Sequence, residues 1–202
     1  MPVRIDYEYI EQHVPPEARV LDLGCGDGAL LQKLIRYKGV NGCGIEIDEQ
    51  AVRECIGRGV PVYHGDMLEG MAMFAPGSFE CVILSQTLQQ TLQPVRVVEE
   101  MLRVGRKAII SFPNFGHWTV RLQLLLRGRM PLTPMLPYPW HDTPNVHLLT
   151  IRDFLALCTE RHLRVADRIF LSPAYRKVPS FLANVFAGMA VFVIEKDRVA
   201  SQ

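Results

Sequence analysis

Short runs of apolar residues alternate along the chain with longer segments in which apolar positions recur at helical spacing. This alternation predicts an α/β fold, a mostly parallel sheet with helices on both faces, because parallel strands are buried on both sides and are joined by helices. Seven runs have the length of a strand, which predicts one seven-stranded sheet. They lie at 19–24, 42–48, 61–66, 79–85, 107–113, 163–171 and 189–196.

The segments between the runs carry the start signals of helices. The segment "ALLQKLIRYK" at 29–38 places its leucines on one helical face. Asp48 is expected to cap the next helix, and Pro94 fits the first turn of another. Thr150, with Asp153 three residues later, has the pattern of a capping box. We expect these helices to serve mainly as scaffold.

The segment 114–149 interrupts this alternation of predicted strands and helices. Its stretch "PLTPMLPYPWHDTPNVH" holds five prolines, and proline at that density disfavours both helices and sheet interiors. Aromatic and histidine residues among the prolines predict an ordered cap over the carboxyl edge of the sheet instead of a flexible linker. With 202 residues and 49% hydrophobic composition, residues 1–202 are predicted to form one domain, with 114–149 inserted after the fifth strand.

Within this insertion, the segment "HWTVRLQLLLRGRM" has the pattern of an amphipathic helix. Its apolar face holds Trp118, Leu122, Leu125 and Leu126, and its basic residues are Arg121, Arg127 and Arg129. Two interpretations fit this pattern. The helix docks on another protein, or it packs on its own sheet and turns the arginines to solvent.

Charge and cysteine content narrow the class of protein. A net charge of +1 gives no general reason to expect nucleic acid or an anionic membrane as a partner. Five cysteines without a CxxC pair predict reduced thiols, a cytoplasmic location and no metal site. The first twenty residues lack the apolar core of a secretory signal. The uncharged stretch 178–194 is short for a membrane span and contains Pro179, which favours a buried segment.

The stretch "VLDLGCGDG" at 20–28 holds the first candidate chemistry. A strand that ends at glycines and continues into a helix brings backbone N–H groups to the carboxyl edge, where nucleotides bind. Gly24, Gly26 and Ala29 also fit the dinucleotide pattern, so the glycines leave both a nicotinamide cofactor and S-adenosylmethionine (SAM) open. Asp22 would repel a pyrophosphate and attract a sulfonium, which favours SAM. In the alternative interpretation, Asp22 only hydrogen-bonds the following loop.

Carboxylates follow the next two predicted strands as well. Glu46 stands where a carboxylate can accept the hydroxyl hydrogens of a ribose, which SAM and nicotinamide cofactors share. Asp66, in "HGDM", is placed to accept from an adenine amino group, with Met67 packing on the ring. Three carboxylates at three successive strand ends are more specific than any one of them, and together they predict a nucleoside ligand.

These motifs resemble a known superfamily. "VLDLGCGDG", "GIEID", "HGDM" and "FECVILSQTLQ" are similar, in that order, to the motifs of class I SAM-dependent methyltransferases, although Glu46 and Glu80 stand where Asp is commoner. "SFPNFGHW" and "PYPWHDTPNVHLLTIRDF" resemble the MetW family of methionine biosynthesis proteins. The resemblance implies a Rossmann-like sheet, SAM as cofactor, and the homoserine O-acyltransferase MetX as partner. The residues predicted to bind SAM are Asp22, Gly24, Cys25, Gly26, Gly28, Glu46, Ile47, Asp66, Met67, Ser85 and Gln86.

Catalysis is less well marked in the sequence. Methyl transfer depends mostly on positioning, and a hydroxyl or amine acceptor also needs a base. The candidates for that base are His117, His141 and Asp142, all in the insertion. Three functions therefore stay open: a SAM-binding subunit that supports MetX, a stand-alone methyltransferase on a small molecule, and a nicotinamide oxidoreductase.

Overall fold

A computed structural model describes residues 6–134 and 136–196 of the chain. Its seven strands form a single sheet, as predicted, in the order β3-β2-β1-β4-β5-β7-β6. The strands are β1 Arg19–Leu23, β2 Asn41–Glu46, β3 Val62–His64, β4 Phe79–Ser85, β5 Gly105–Pro113, β6 Leu163–Leu171 and β7 Met189–Lys196. Strand β7 runs antiparallel to both of its neighbours, and the other pairs are parallel.

Helices cover both faces of this sheet. They are α1 Asp6–His13, α2 Ala29–Lys38, α3 Glu49–Gly57, α4 Met67–Ala72, α5 Pro94–Val104, α6 Trp118–Arg127, α7 Ile151–Glu160 and α8 Ala183–Phe186, with a 3-10 turn at Leu88–Gln90. Two apolar clusters form the core, one on each face. Along β4, Cys81 and Ile83 belong to the cluster with α1, α2 and α3, while Val82 and Leu84 belong to the cluster with α4, α5 and α7. The predicted mostly parallel, two-sided α/β architecture is confirmed.

The predicted helix starts are confirmed by their hydrogen bonds. The Asp48 side chain accepts from the Ala51 N–H at 2.8 Å, Pro94 is the first residue of α5, and Thr150 and Asp153 form a reciprocal capping box. Helix α1 was missed because its sequence, "DYEYIEQH", buries only Ile10 and Asp6 and therefore shows no apolar stripe.

The segment after β5 is less regular than the rest of the fold. It begins with α6, and among the described residues from 129 to 150 the only β-pairing is an isolated bridge between Thr133 and Leu136. The N–H groups of Val146 and His147 both donate to the Gln89 carbonyl, at 2.9 and 3.0 Å. These bonds fold the segment back onto the loop that follows β4.

Two absences concern the described residues. None of their helices is long and apolar enough to cross a membrane. No cluster of histidine, cysteine, aspartate or glutamate residues among them is arranged to hold a metal ion.

Candidate ligand site at the carboxyl edge of the sheet

A cavity of about 930 Å³ lies at the carboxyl ends of β1 to β4. It sits beside the point between β1 and β4 where the strand order reverses, the usual ligand position in open α/β sheets. Its volume suits a cofactor-sized molecule. Eight of the eleven residues predicted to bind SAM line it: Gly24, Gly26, Glu46, Ile47, Asp66, Met67, Ser85 and Gln86.

The N–H groups of the glycine loop are already used inside the protein. Gly24 and Cys25 donate to the Ile45 carbonyl at 2.8 and 3.3 Å, and Gly26 donates to Glu46 Oε2 at 2.8 Å. A dinucleotide loop instead directs such groups at a pyrophosphate. Because this loop turns them inward and places a carboxylate beside them, its geometry disfavours a phosphate ligand.

The two glycines that line the cavity have different roles. Both have positive φ, +61° at Gly24 and +56° at Gly26, which favours glycine. A Cβ atom on Gly24 would lie 2.9 Å from Thr87 Cγ2, whereas a Cβ atom on Gly26 would meet nothing within 4 Å. Gly24 therefore allows the loop after β4 to approach closely, and Gly26 leaves space open to a ligand.

Glu46 is held rigidly at the end of β2. Its side chain is buried, its Oε1 accepts from the N–H groups of Ile47 and Asp48 at 2.8 and 2.9 Å, and its Oε2 accepts from Gly26. A carboxylate oxygen has room for two donors, so Oε2 can take a further hydrogen bond from a ligand hydroxyl.

Asp66 combines a structural role with its place on the cavity wall. Its Oδ1 caps α4 by accepting from the N–H groups of Leu68 and Glu69, at 2.7 and 3.3 Å. Ile47 and Met67 lie beside it on the wall, and Ile47 is 68% exposed. Asp66 and these apolar neighbours together suit a flat ring with a polar edge.

The floor of the cavity rests on a buried polar cluster. Ser85 donates to Asp6 Oδ2 at 2.7 Å, and the Gln86 N–H donates to the Ser111 carbonyl and hydroxyl at 2.9 and 3.1 Å. Gln86 has a φ of +53°, an uncommon conformation for a residue other than glycine. Asp6 was not predicted, because a residue of the first helix gives no local signal that it will meet Ser85.

Three of the predicted SAM-binding residues do not line the cavity. Asp22 is buried beneath the loop, and the Cys25 sulfur lies 3.8 Å from that of Cys55. Burial, and next the Asp22 carboxylate, raise the pKa of the Cys25 thiol, so it stays protonated. A Cβ atom on Gly28 would lie 2.8 Å from Cys55 Sγ. Cys25 and Gly28 thus pack against Cys55 and are not part of the cavity lining.

The three candidate bases also lie outside the cavity lining. His117 caps α6: its Nδ1 lies 2.7 Å from Thr119 Oγ1 and accepts from the Thr119 N–H at 3.3 Å. Burial lowers the pKa of His117. His141 and Asp142 are exposed, and the His141 ring packs edge-on against Trp140. The geometry therefore gives no support to a catalytic role for these three residues.

The sequence also missed part of the cavity wall. Among the described lining residues, the ionisable ones are Glu46, Asp66, Glu69 and Arg96. Arg96 and Glu69 lie on helices, and Thr87 lies in the loop after β4. Helical periodicity marks α5 only as scaffold, so nothing local shows that Arg96 reaches a ligand site.

Comparisons with known sequences agree with this geometry. A family model described as methionine biosynthesis protein MetW matches residues 4–194. The bifunctional methionine biosynthesis protein MetXA/MetW of Rhodopirellula baltica is 32% identical over 97% of this chain and 33% of that protein. A ubiquinone biosynthesis O-methyltransferase of Ralstonia nicotianae is 30% identical over 70% of this chain and 61% of that protein. The chain thus spans about a third to three fifths of these relatives.

Solved structures share the fold at low sequence identity. A SAM-dependent methyltransferase from Archaeoglobus fulgidus has a TM-score of 0.67 at 14% identity and covers 94% of each chain. The PH0226 protein from Pyrococcus horikoshii has a TM-score of 0.67 at 19% identity, covering 96% of this chain and 90% of its own. The fold is therefore that of class I SAM-dependent methyltransferases.

Proposed function

The chain belongs to the MetW family of methionine biosynthesis proteins, and from this premise we propose that it binds SAM in the cavity and supports the homoserine O-acyltransferase MetX. Family and fold together make it a SAM methyltransferase-like protein of methionine biosynthesis. The proposal adds two points to this: SAM is the ligand of the cavity, and MetX is the partner.

The main support for SAM as the ligand is the net negative charge of the cavity wall. The wall carries three acidic side chains, Glu46, Asp66 and Glu69, and one basic side chain, Arg96. Such a wall attracts a ligand with a sulfonium and an ammonium group and repels a pyrophosphate. The inward-turned N–H groups of the glycine loop support the same choice.

In this proposal the lining residues would contact the parts of SAM in order along the sheet edge. Glu46 Oε2 would accept from a ribose hydroxyl, and Ile47 and Met67 would pack against the adenine. The second carboxylate oxygen of Asp66 would accept from the adenine amino group. Gln86, at the end of β4, would lie near the methionine portion. When bound, SAM supplies an electrophilic methyl group.

Calorimetry with SAM and with NADH tests this ligand. We expect SAM to bind and NADH not to bind. Glu46→Ala should weaken SAM binding about 100-fold, because it removes a charged hydrogen-bond acceptor and frees the Gly26 N–H. Glu80→Ala is the matched control, since Glu80 pairs with Arg19 near the opposite edge of the sheet. Binding of NADH, or unchanged SAM affinity in Glu46→Ala, would contradict the proposal.

The set of ionisable groups in the cavity favours a supporting role over catalysis. The described lining residues include no histidine, lysine, cysteine or tyrosine that could deprotonate a hydroxyl or amine acceptor. Of the carboxylates in the lining, Glu46 and Asp66 already accept backbone hydrogen bonds, which leaves Glu69 as the remaining acidic side chain. The fused MetXA/MetW relative supports MetX as the partner, since one chain there carries both names. A reducing cytoplasmic location fits the five free thiols.

The partnership is tested with MetX from the same genome. We expect the two purified proteins to form a complex and the acyltransferase rate to rise when this protein is added. An unchanged rate together with the absence of a complex would refute the partnership, even if SAM binds.

A stand-alone methyltransferase is the second candidate. The 30% identity to a ubiquinone biosynthesis O-methyltransferase over 70% of the chain favours it. Incubation with methyl-labelled SAM and cell extract would then label a small molecule, and Glu46→Ala would abolish the label. If no product is labelled in any extract, this candidate fails.

A further inference from the structure

Helix α6 turns its apolar side away from the protein. None of its ten residues is buried, and the half-buried ones, Thr119, Val120 and Gln123, mark the side that contacts the body. At about 100° per residue, Trp118, Leu122 and Leu125 lie roughly opposite that side. A surface helix normally buries its apolar stripe. The interpretation that α6 packs its leucines on its own sheet is therefore wrong.

The exposed side chains form what we call the α6 surface. Its members are Trp118, 45% exposed, Leu122, 42%, Leu125, 80%, and Leu126, 73%. Large apolar side chains grouped on one side of a helix, next to basic residues, are typical of a protein interaction site.

Local hydrogen bonds close both ends of α6, and Arg121 ties the helix to the rest of the protein. His117 caps its first turn, and the Gly128 N–H donates to the Leu124 carbonyl at 2.9 Å to close the last. Arg121 donates to the carbonyls of Gly116 and Asn184, at 2.6 and 3.4 Å, and so ties α6 to α8. The helix is therefore anchored without burying its leucines.

The charge around the α6 surface indicates what kind of partner fits it. Residues 114–141 contain three arginines and no aspartate or glutamate. Two copies that met through this surface in a two-fold arrangement would bring these arginines together, which is unfavourable. A different protein, with an apolar groove bordered by carboxylates, is complementary to it.

We propose that the α6 surface is the docking site for MetX, and this inference rests on the proposed function. The fused relative supports this occupant, because a MetW-like third of that chain is joined to a MetXA portion. None of the four residues of the α6 surface lines the ligand cavity. MetX and SAM therefore occupy separate surfaces of the protein.

The test compares three forms of this chain for binding to MetX from the same genome. In the double variant Leu122→Ser/Leu125→Ser, we expect the Kd for MetX to rise at least about 50-fold, since buried apolar anchors dominate such interfaces. Ile56→Ser on α3, a residue 65% exposed, is the matched control and should leave the Kd unchanged. The melting temperature and the Kd for SAM should be the same in all three forms.

A charge reversal tests the basic character of α6. Arg127→Glu, in the last turn of the helix, should weaken MetX binding about tenfold at low salt and less at high salt, because the long-range attraction between exposed charges is screened. A change that does not depend on salt would refute the acidic groove.

The outcomes separate this inference from the proposed function. If wild type and the double variant bind MetX equally, the docking site is wrong and the partnership stands. If wild type does not bind MetX, both the docking site and the proposed partnership are refuted. The surface would instead belong to a second copy if wild type forms a dimer that the double variant loses. Wild-type binding to phosphatidylglycerol–phosphatidylcholine vesicles, lost in the double variant while MetX binding is retained, would assign it to a membrane.

Discussion

The ligand cavity and the α6 surface differ in how the fold holds their side chains. At the cavity, Glu46 is fixed by three backbone N–H groups and Asp66 by two. On α6, Leu125 and Leu126 are mostly exposed, and the helix is held by Arg121 and by its half-buried side. A small ligand is recognised by a few polar groups in fixed positions, whereas a protein partner is recognised mainly by apolar area removed from water. The two regions are thus suited to different kinds of partner.

If the two regions are independent, a change at one should leave the other intact. Gly24→Val tests this with the largest expected effect, because it combines a β-branched side chain at positive φ with a Cβ atom 2.9 Å from Thr87 Cγ2. We expect SAM affinity to fall more than about 100-fold by calorimetry, which corresponds to about 3 kcal/mol. MetX affinity should be unchanged.

Gly57→Val is the control for this substitution. Gly57 ends α3, and a Cβ atom there would meet nothing within 4 Å. Its SAM affinity should match that of wild type. If Gly24→Val lost MetX binding while remaining folded, the cavity and the α6 surface would be coupled, and the comparison would fail.

More of the ligand cavity than of the α6 surface could be predicted from the sequence. Helix α2 and strand β4 have the predicted bounds, because their apolar patterns are local. The lining residues at the strand ends were also predicted, since parallel strands end at the same edge. Asp6 and Arg96 were not, because their places depend on contacts between elements far apart in the chain. Helical periodicity identified the apolar face of α6, but it does not state whether that face turns inward or outward.

Asn114 provides the second test, since it connects the insertion to the core. It is buried; its amide donates to the Ala187 carbonyl at 2.8 Å, and its oxygen accepts from the Gly116 N–H at 2.9 Å. Asn114→Ala leaves buried backbone groups without partners, so we expect the free energy of unfolding to fall by about 3 kcal/mol in urea titrations.

This substitution should affect the two regions unequally. Gly116 also accepts from Arg121 of α6, so MetX binding should weaken in Asn114→Ala more than SAM binding does. Asn41→Ala, at an exposed residue that starts β2, should cost less than about 0.5 kcal/mol. Equal losses of SAM and MetX affinity would mean that Asn114 supports the whole domain and does not distinguish the regions.

His117 gives the smallest and most local effect. Burial lowers its pKa, and a hydrogen bond with the Phe186 backbone partly offsets this. The folded pKa is therefore below the unfolded value of about 6.5, so the unfolded chain binds more protons in the interval between them. Stability should be full above about pH 6.5, fall as the pH drops through this interval, and level off below the folded pKa. A protonated Nδ1 cannot accept from the Thr119 N–H, so acid should loosen the start of α6.

His117→Asn isolates this contribution, because asparagine is a good N-cap that does not titrate. We expect the difference in unfolding free energy between wild type and His117→Asn to change between pH 7 and pH 5. This change should be smaller than the loss of unfolding free energy in Asn114→Ala. The difference in MetX affinity between wild type and His117→Asn should also change between pH 7 and pH 5. The corresponding difference in SAM affinity should stay constant, because His117 caps α6 and does not line the cavity. A difference that is flat across this range would mean that protonation of His117 does not govern α6, and acid sensitivity would then not separate the two regions.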